Sequence, residues 1–273
     1  MLTRIESLSN KYIKKLVSLK DKKGRLEHNA FIVEGERVAA QIPEDWPVES
    51  YLFSESREET SFEAYERRAP VYILSERAAA RVSGLVTPPG VMAVCRMPLA
   101  APALAFKSEP PLVLICDRIS DPGNLGTLVR AADAAAGSVL MTRGCADMYS
   151  PKVLRAMSGS IFNVPIIAEL TADEVISLCA KNNTPIAAAH PQGRVMPWDA
   201  RLSAGCAIAI GSEAHGLSEG IARAAASFIK IPMPGRAESL NAAMAGSVLL
   251  YEAVRQRAPF KRAYDNRGSV PRL

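Results

Sequence analysis

Apolar and polar positions follow two different rhythms along this chain. Up to about residue 97, short mixed runs trade places. A lysine-rich stretch with helical spacing covers 9–23, then come strand "AFIVEG", a helix from Glu34, strand "VESYLFS", a helix through the sixties, strand "PVYILS", helix "ERAAARVSG" and strand "GVMAVCRM". After residue 111 the strands become continuous apolar runs: "PLVLICD", "SVLMT", "VPIIAE", "TPIAAA", "CAIAIG" and "FIKIP". Runs of that kind predict a parallel sheet covered by helices on both faces, because neither side of such a strand meets water. A last helix over about 238–257 opens on "LNAAMAGSVLLYEAV", too poor in charge for an ordinary surface helix, and is expected at an interface or inside the fold.

Between the two rhythms lies "PLAAPALAFKSEPP", residues 98–111, whose four prolines read as a linker. The expectation is an α/β domain over 1–97 and a second, parallel-sheet α/β domain over 112–273, which suits a chain of 273 residues. Composition removes several function classes. No apolar run approaches the ~18 residues of a membrane span, and "MLTRIESLSNKYIKK" lacks the apolar centre of a secretion signal, so a soluble, cytoplasmic protein is expected. Five cysteines without CxxC spacing and three histidines never spaced as a pair predict neither disulfides nor a metal site. The net charge of +5 is unevenly spread: residues 1–30 hold eight Lys/Arg against three Asp/Glu, and residues 255–273 hold six against one. Two basic ends on an acidic body fit a polyanionic partner, or equally a solvated helix face and a frayed tail.

Ligands of open parallel sheets sit beyond the carboxyl ends of the strands, and three loops there carry unusual residues. In "SDPGNLGTLVR", 120–130, Gly123 and Gly126 permit a sharp turn, Asp121 or Asn124 caps the following helix, and Arg130 lies under two turns beyond Asn124. The free N–H groups of that helix start face an anion, unless this is an ordinary helix start with a surface arginine. In "IAIGSEAHGLS", 208–218, a buried strand ends at Gly211, where a ligand can approach the backbone, and Glu213 and His215 follow in a polar turn. In "IKIPMPGRAESLNAAMAG", 229–246, a strand from Ile229 to Ile231 meets two prolines, and a helix beginning Ser239-Leu240-Asn241 presents a hydroxyl and an amide at its positive end. Each loop alone also reads as plain turn chemistry.

Taken in order, "DPGNLGTLVRAADA", "IGSEAHGLS" and "IPMPGRAESLNAAMA" closely resemble the three motifs of the SpoU (TrmH-like) RNA 2'-O-ribose methyltransferases of the SPOUT superfamily, across the whole second domain. "LSNKYIKKLVSLKDKKGRLEHNAFIVEGERVA" and "VSGLVTPPGVMAVC" resemble the ribosomal-protein-like RNA-binding domain that precedes it in ribosomal RNA members. The resemblance implies a deep trefoil knot, S-adenosylmethionine held in it, and a homodimer whose active site borrows from both subunits, with the helix after Ser239 at the contact. It implies cofactor contacts at Gly211, Ile231 and Leu240, largely through backbone groups, and polar catalytic positions at Asn124, Arg130, Glu213, Ser239 and Asn241. After Asn241 the chain reads "AAMAG", where members often carry a β-branched or serine-containing run, a departure that bears on packing.

The implied reaction moves a methyl group to a ribose 2'-hydroxyl, with ribosomal RNA favoured by the N-terminal domain and transfer RNA the alternative substrate. Guanidinium pKa values above about 12 argue against Arg130 as a base, so Arg130 is read as a clamp on the acceptor, with Asn124, Glu213 and Ser239 orienting the rest. A nicotinamide-binding Rossmann enzyme would need GxGxxG after a strand, which "DPGNLG" does not supply. A nonenzymatic RNA-binding protein with a degenerate methyltransferase domain is the reading from another class.

Overall fold

The computed structural model describes residues 2–57, 62–99 and 101–257. The basic tail beyond residue 257 lies outside them. Two compact units emerge, Met1–Leu99 together with Ala146–Asn163, and Ala100–Cys145 together with Val164–Leu273.

The first unit holds a five-stranded mixed sheet in the order β1-β4-β3-β5-β2. Its strands are β1 (Leu2–Ile5), β2 (Ala30–Glu34), β3 (Val48–Ser54), β4 (Val71–Leu74) and β5 (Val91–Arg96), and its helices are α1 (Lys11–Ser18), α2 (Lys22–His28), α3 (Glu36–Ala39), α4 (Glu63–Glu66) and α5 (Glu76–Ser83). Four strands fall where alternation puts them; β1, a four-residue edge strand of sequence LTRI with two polar positions, is not among them. The single basic helix expected over 9–23 is instead α1 and α2. Asn10 caps α1, its Oδ1 accepting from the Tyr12 N–H at 2.8 Å, and α2 folds back so closely that a Cβ on Gly24 would lie 2.1 Å from the Ser18 carbonyl oxygen. Arg25 is consequently internal: it donates to the Leu19 and Lys20 carbonyls at 2.8 and 2.6 Å and pairs with Asp147 at 2.5 Å. Lys11, Lys14, Lys22 and Lys23 remain exposed.

The second half of the chain contributes β6 (Leu112–Asp117), α6 (Pro122–Ala134), β7 (Ser138–Thr142), α7 (Pro151–Met157), β8 (Ile166–Leu170), α8 (Ala172–Lys181), β9 (Ile186–Ala189), β10 (Cys206–Gly211), α9 (Glu219–Ala224), β11 (Ser227–Ile229) and α10 (Ala242–Arg257). Helix α7 and its flanks belong to the first unit, although sequence patterning assigns 112–273 to one domain. Specific contacts hold them there: Arg25–Asp147, Arg155–Glu34 at 3.4 Å, and ring contacts Phe31–Tyr149 at 4.9 Å and Trp46–Phe162 at 5.0 Å.

The second unit is a parallel six-stranded sheet in the order β11-β9-β10-β6-β7-β8. Every residue of β6 and β7 is buried, as unbroken apolar runs require, and Cys116, Cys179 and Cys206 pack in this interior as small apolar side chains. β11 stops at Ile229 rather than Ile231, because its partner β9 ends at Ala189. The β9–β10 connection then wraps the same strand: His190 N–H donates to the Ile229 carbonyl at 2.9 Å, Val195 N–H to Phe228 at 3.1 Å, and Lys230 N–H to Val195 at 2.9 Å. That crossing needs Gly193, where a Cβ would meet the Phe228 carbonyl oxygen at 2.6 Å. Helix α10 packs on α6, β10 and β6 through Ala242, Ala243, Gly246, Leu249, Leu250 and Ala253.

Candidate functional site

β6 and β10 are neighbours in register from Leu112 opposite Cys206 to Asp117 opposite Gly211, so the loops that follow them leave the sheet side by side. In the first, Asp121 is the cap of α6, its Oδ1 accepting from the Asn124 N–H at 2.7 Å, and Pro122 occupies the first turn, where a missing N–H costs nothing. Asn124 is thereby left for a contact across the fold. In the third loop Asn241 caps α10, its Oδ1 accepting from the N–H groups of Ala243 at 2.9 Å and Met244 at 3.2 Å; the helix begins at Ala242, after Ser239 and Leu240.

These caps fix the direction of a closed ring of side-chain hydrogen bonds. Because Asn241 Oδ1 faces two N–H groups, its Nδ2 must be the outward donor. It donates to Asn124 Oδ1 at 2.8 Å and to Glu213 Oε1 at 3.0 Å. Asn124, accepting through oxygen, turns its own Nδ2 to Glu213 Oε1 at 2.8 Å. One residue from each of the three loops thus meets the other two, and among the described residues Glu213 Oε2 has no partner.

The middle loop is held rigidly. Ser212 and Gly216 exchange backbone hydrogen bonds of 3.1 and 2.8 Å, with Gly216 at a φ of 62° that favours glycine. The close approach at Gly211 is made by this loop itself: a Cβ there would stand 2.3 Å from the Gly216 carbonyl carbon. Buried Asp117 ties the far end, Oδ2 accepting from the Ser218 N–H at 2.5 Å and Oδ1 from the Thr142 hydroxyl at 2.8 Å. Sequence reasoning passed over Asp117 and Thr142; the available signal was an acid closing an otherwise apolar strand.

A cleft of about 430 Å³ opens beside the ring, lined among others by Arg118, Ser120, Asn124, Ser212, Glu213 and His215. Arg130 is not in its lining. It is exposed on α6 and, among the described residues, has no hydrogen-bond or ion-pair partner. Ser239 is exposed, while Ile231 and Leu240 are half-buried in a loop of a different kind. Among the described residues, no backbone N–H or carbonyl from Ile231 to Leu240 makes a hydrogen bond within the chain. Pairing of β10 to β9 likewise stops at Ala209, two residues short of Gly211. Within 231–240 only Ile231, Met233 and Leu240 are half-buried and the other residues are exposed, so the main-chain groups of this loop are open to solvent or to a ligand. Beside the cleft, burial pushes the Cys145 thiol up to about 11, so it stays protonated at neutral pH and offers no thiolate nucleophile. Among the described residues there is no group of three His, Cys, Asp or Glu that could hold a metal, and no helix long and apolar enough to cross a membrane.

Comparison with known proteins bears on both units. Residues 111–251 match the SpoU rRNA Methylase family, and residues 10–93 match an MRM3-like substrate binding domain. The chain is 32% identical to the 23S rRNA (guanosine(2553)-2'-O)-methyltransferase RlmP of Bacillus subtilis over 92% of this chain and 98% of that protein. A crystal structure of an AdoMet-bound rRNA methyltransferase from Sinorhizobium meliloti superposes with a TM-score of 0.84 at 28% identity, covering 93% of this chain and 98% of that one. A third relative, the mitochondrial rRNA methyltransferase 3 of Xenopus laevis, is 32% identical over 90% of this chain and 74% of its own length. That relative overturns the cytoplasmic expectation drawn from composition: compartment is read from address segments, and the packed fold carries no record of it.

Proposed function

We propose, from the premise that this chain belongs to the SpoU rRNA methylase family, that it is an S-adenosylmethionine-dependent RNA 2'-O-ribose methyltransferase acting on ribosomal RNA. The observation that carries the reading is the Asn124–Glu213–Asn241 ring, which joins the three motif loops at the carboxyl end of a knotted parallel sheet.

The residues present fit the cofactor. The unpaired backbone of Ile231–Leu240 and the open edge at Gly211 supply main-chain donors and acceptors for an uncharged heterocycle and ribose, with Ile231 and Leu240 as apolar walls. When bound, S-adenosylmethionine supplies an electrophilic methyl group on its sulfonium. The chain's own task is to hold the acceptor 2'-hydroxyl in line and favour loss of its proton. We assign Glu213 Oε2, unpartnered among the described residues, as the acceptor for that hydroxyl, held in place by the two amides bonded to Oε1. Ser239 and Arg130 complete the acceptor site in this reading, Arg130 as a clamp on the acceptor.

A homodimer accounts for two features left over. Arg130 stands exposed outside the ring, and α10 carries an apolar stripe of Met244, Val248 and Tyr251, exposed by 57, 43 and 50%, at helical spacing opposite its buried face. Pairing through this stripe covers it and brings a second copy's Arg130 within the assembly. The N-terminal unit, with Lys11, Lys14, Lys22 and Lys23 exposed, serves as the RNA-binding domain over 1–97, joined by the 98–111 linker to the methyltransferase domain over 112–273.

Transfer of labelled methyl from S-adenosylmethionine to ribosomal RNA, with transfer RNA in parallel, tests the proposal. Wild-type protein is expected to label ribosomal RNA on ribose oxygens, and Asn124→Ala to lose about 100-fold in turnover. Binding without transfer by wild-type protein would favour the nonenzymatic reading.

A further inference from the structure

Arg118 follows the last residue of β6 and belongs to none of the motif positions. Its backbone lies in the left-handed region, with φ at 58°, a conformation that a branched or long side chain adopts at an energetic cost. Tertiary contacts hold it there: its N–H donates to Thr142 Oγ1 at 3.0 Å, and that hydroxyl donates in turn to Asp117 Oδ1 at 2.8 Å. The guanidinium lines the cleft with most of its donors uncommitted. Nε is buried without a hydrogen-bond partner and forms a long ion pair, 3.9 Å, with Asp117 Oδ1, while Nη2 reaches only the Gly216 carbonyl, at 3.4 Å, and Nη1 is left for a ligand.

Charge decides what such a group is for. The lining contains two carboxylates, Asp121 and Glu213, and Arg118 is its sole lysine or arginine. A polyanionic strand entering a cleft with two carboxylates is repelled unless a cation offsets them. The positions that the reading above gives to the methyl donor, Gly211, Ile231 and Leu240, all lie outside the lining, which on that reading leaves the cleft to the acceptor.

We infer that Arg118 is a substrate-binding residue: its guanidinium fork holds a backbone phosphodiester of the RNA strand whose ribose is presented to Glu213. The inference rests on the methyltransferase reading above and extends it to a residue outside the motifs. A planar fork suits two phosphate oxygens, which a lysine cannot match.

The test combines steady-state methyl transfer on a ribosomal RNA fragment, equilibrium RNA binding at graded salt, and calorimetry with S-adenosylmethionine. Arg118→Gln is expected to raise KM for RNA about 10- to 100-fold with kcat nearly unchanged and cofactor affinity intact. Its salt dependence should be shallower by just under one unit of log–log slope, the release of one counterion. Arg118→Lys should keep the slope and recover only part of the affinity. Arg118→Gly separates binding from folding: glycine accepts this φ, so the thermal midpoint holds or rises while RNA affinity still falls. Unchanged KM and salt slope in Arg118→Gln would overturn the inference, as would a loss confined to cofactor affinity, which would move the guanidinium to the donor's carboxylate. If wild-type protein transfers no methyl, the methyltransferase reading fails, and the RNA-binding arm still decides the role of Arg118.

Discussion

The loops 212–218 and 231–240, which the Glu213–Asn241 hydrogen bond brings together where the second loop ends, are built in opposite ways. The first is tied at both ends, by the Ser212–Gly216 backbone pair and by the Asp117 carboxylate on the Ser218 N–H. The second, among the described residues, makes no backbone hydrogen bond at all, although Ile231 and Leu240 are half-buried. A loop that presents a carboxylate to the acceptor must be fixed before the substrate arrives, since reorganisation during reaction subtracts from rate. A loop that recognises a ligand through its own main chain must keep those groups unpaired until the ligand comes.

The most damaging way to break the contrast is Gly211→Ala. Its Cβ would stand 2.3 to 2.5 Å from backbone atoms of Gly216 and Leu217, so the tied loop must peel away from β10. We expect a loss of about 3 kcal/mol in urea unfolding, together with activity; an unchanged midpoint would mean the loop is not fixed as described. Saturating cofactor should act on the other loop. At a hundredfold over Kd it is expected to add about 2.7 kcal/mol of stability. Amide exchange should slow at 231, 233 and 235–240, where amides exist to be protected, and stay level at 212–218. Protection confined to 212–218 would reverse the roles. The smallest expected effect is Asn241→Ala, which removes the α10 cap and costs about 1 kcal/mol. It also opens the hydrogen-bond ring, so turnover should fall further than stability does; equal, minor effects on both would reduce Asn241 to a cap.

Much of this was legible along the chain. β2 to β10 coincide with runs whose period or continuity is a local property, and Asp121 at the start of α6 follows from capping chemistry acting over three residues. Asn124, Glu213 and Asn241 stand out by their motifs, but their bonding to one another is not readable, because they lie 89 and 28 positions apart and only the β6–β10 adjacency and the packing of α10 on α6 and β10 close the gaps. Nothing in the local pattern marks Arg25 as internal, because its burial depends on α2 folding back at Gly24. Arg118 looked like nothing in particular.

Sequence alone determined strands β2 to β10, the two-domain α/β class and the chemical identity of the three loops, since propensity, periodicity and capping act between residues a few positions apart. Tertiary structure alone decided that segment 146–163 joins the first unit, that Asp117 anchors the Glu213 loop, that Arg118 rather than Arg130 faces the cleft, and which main-chain groups are left open. Those outcomes depend on strand order and on where the chain crosses itself, and neither leaves a mark on the local pattern of apolar and polar residues.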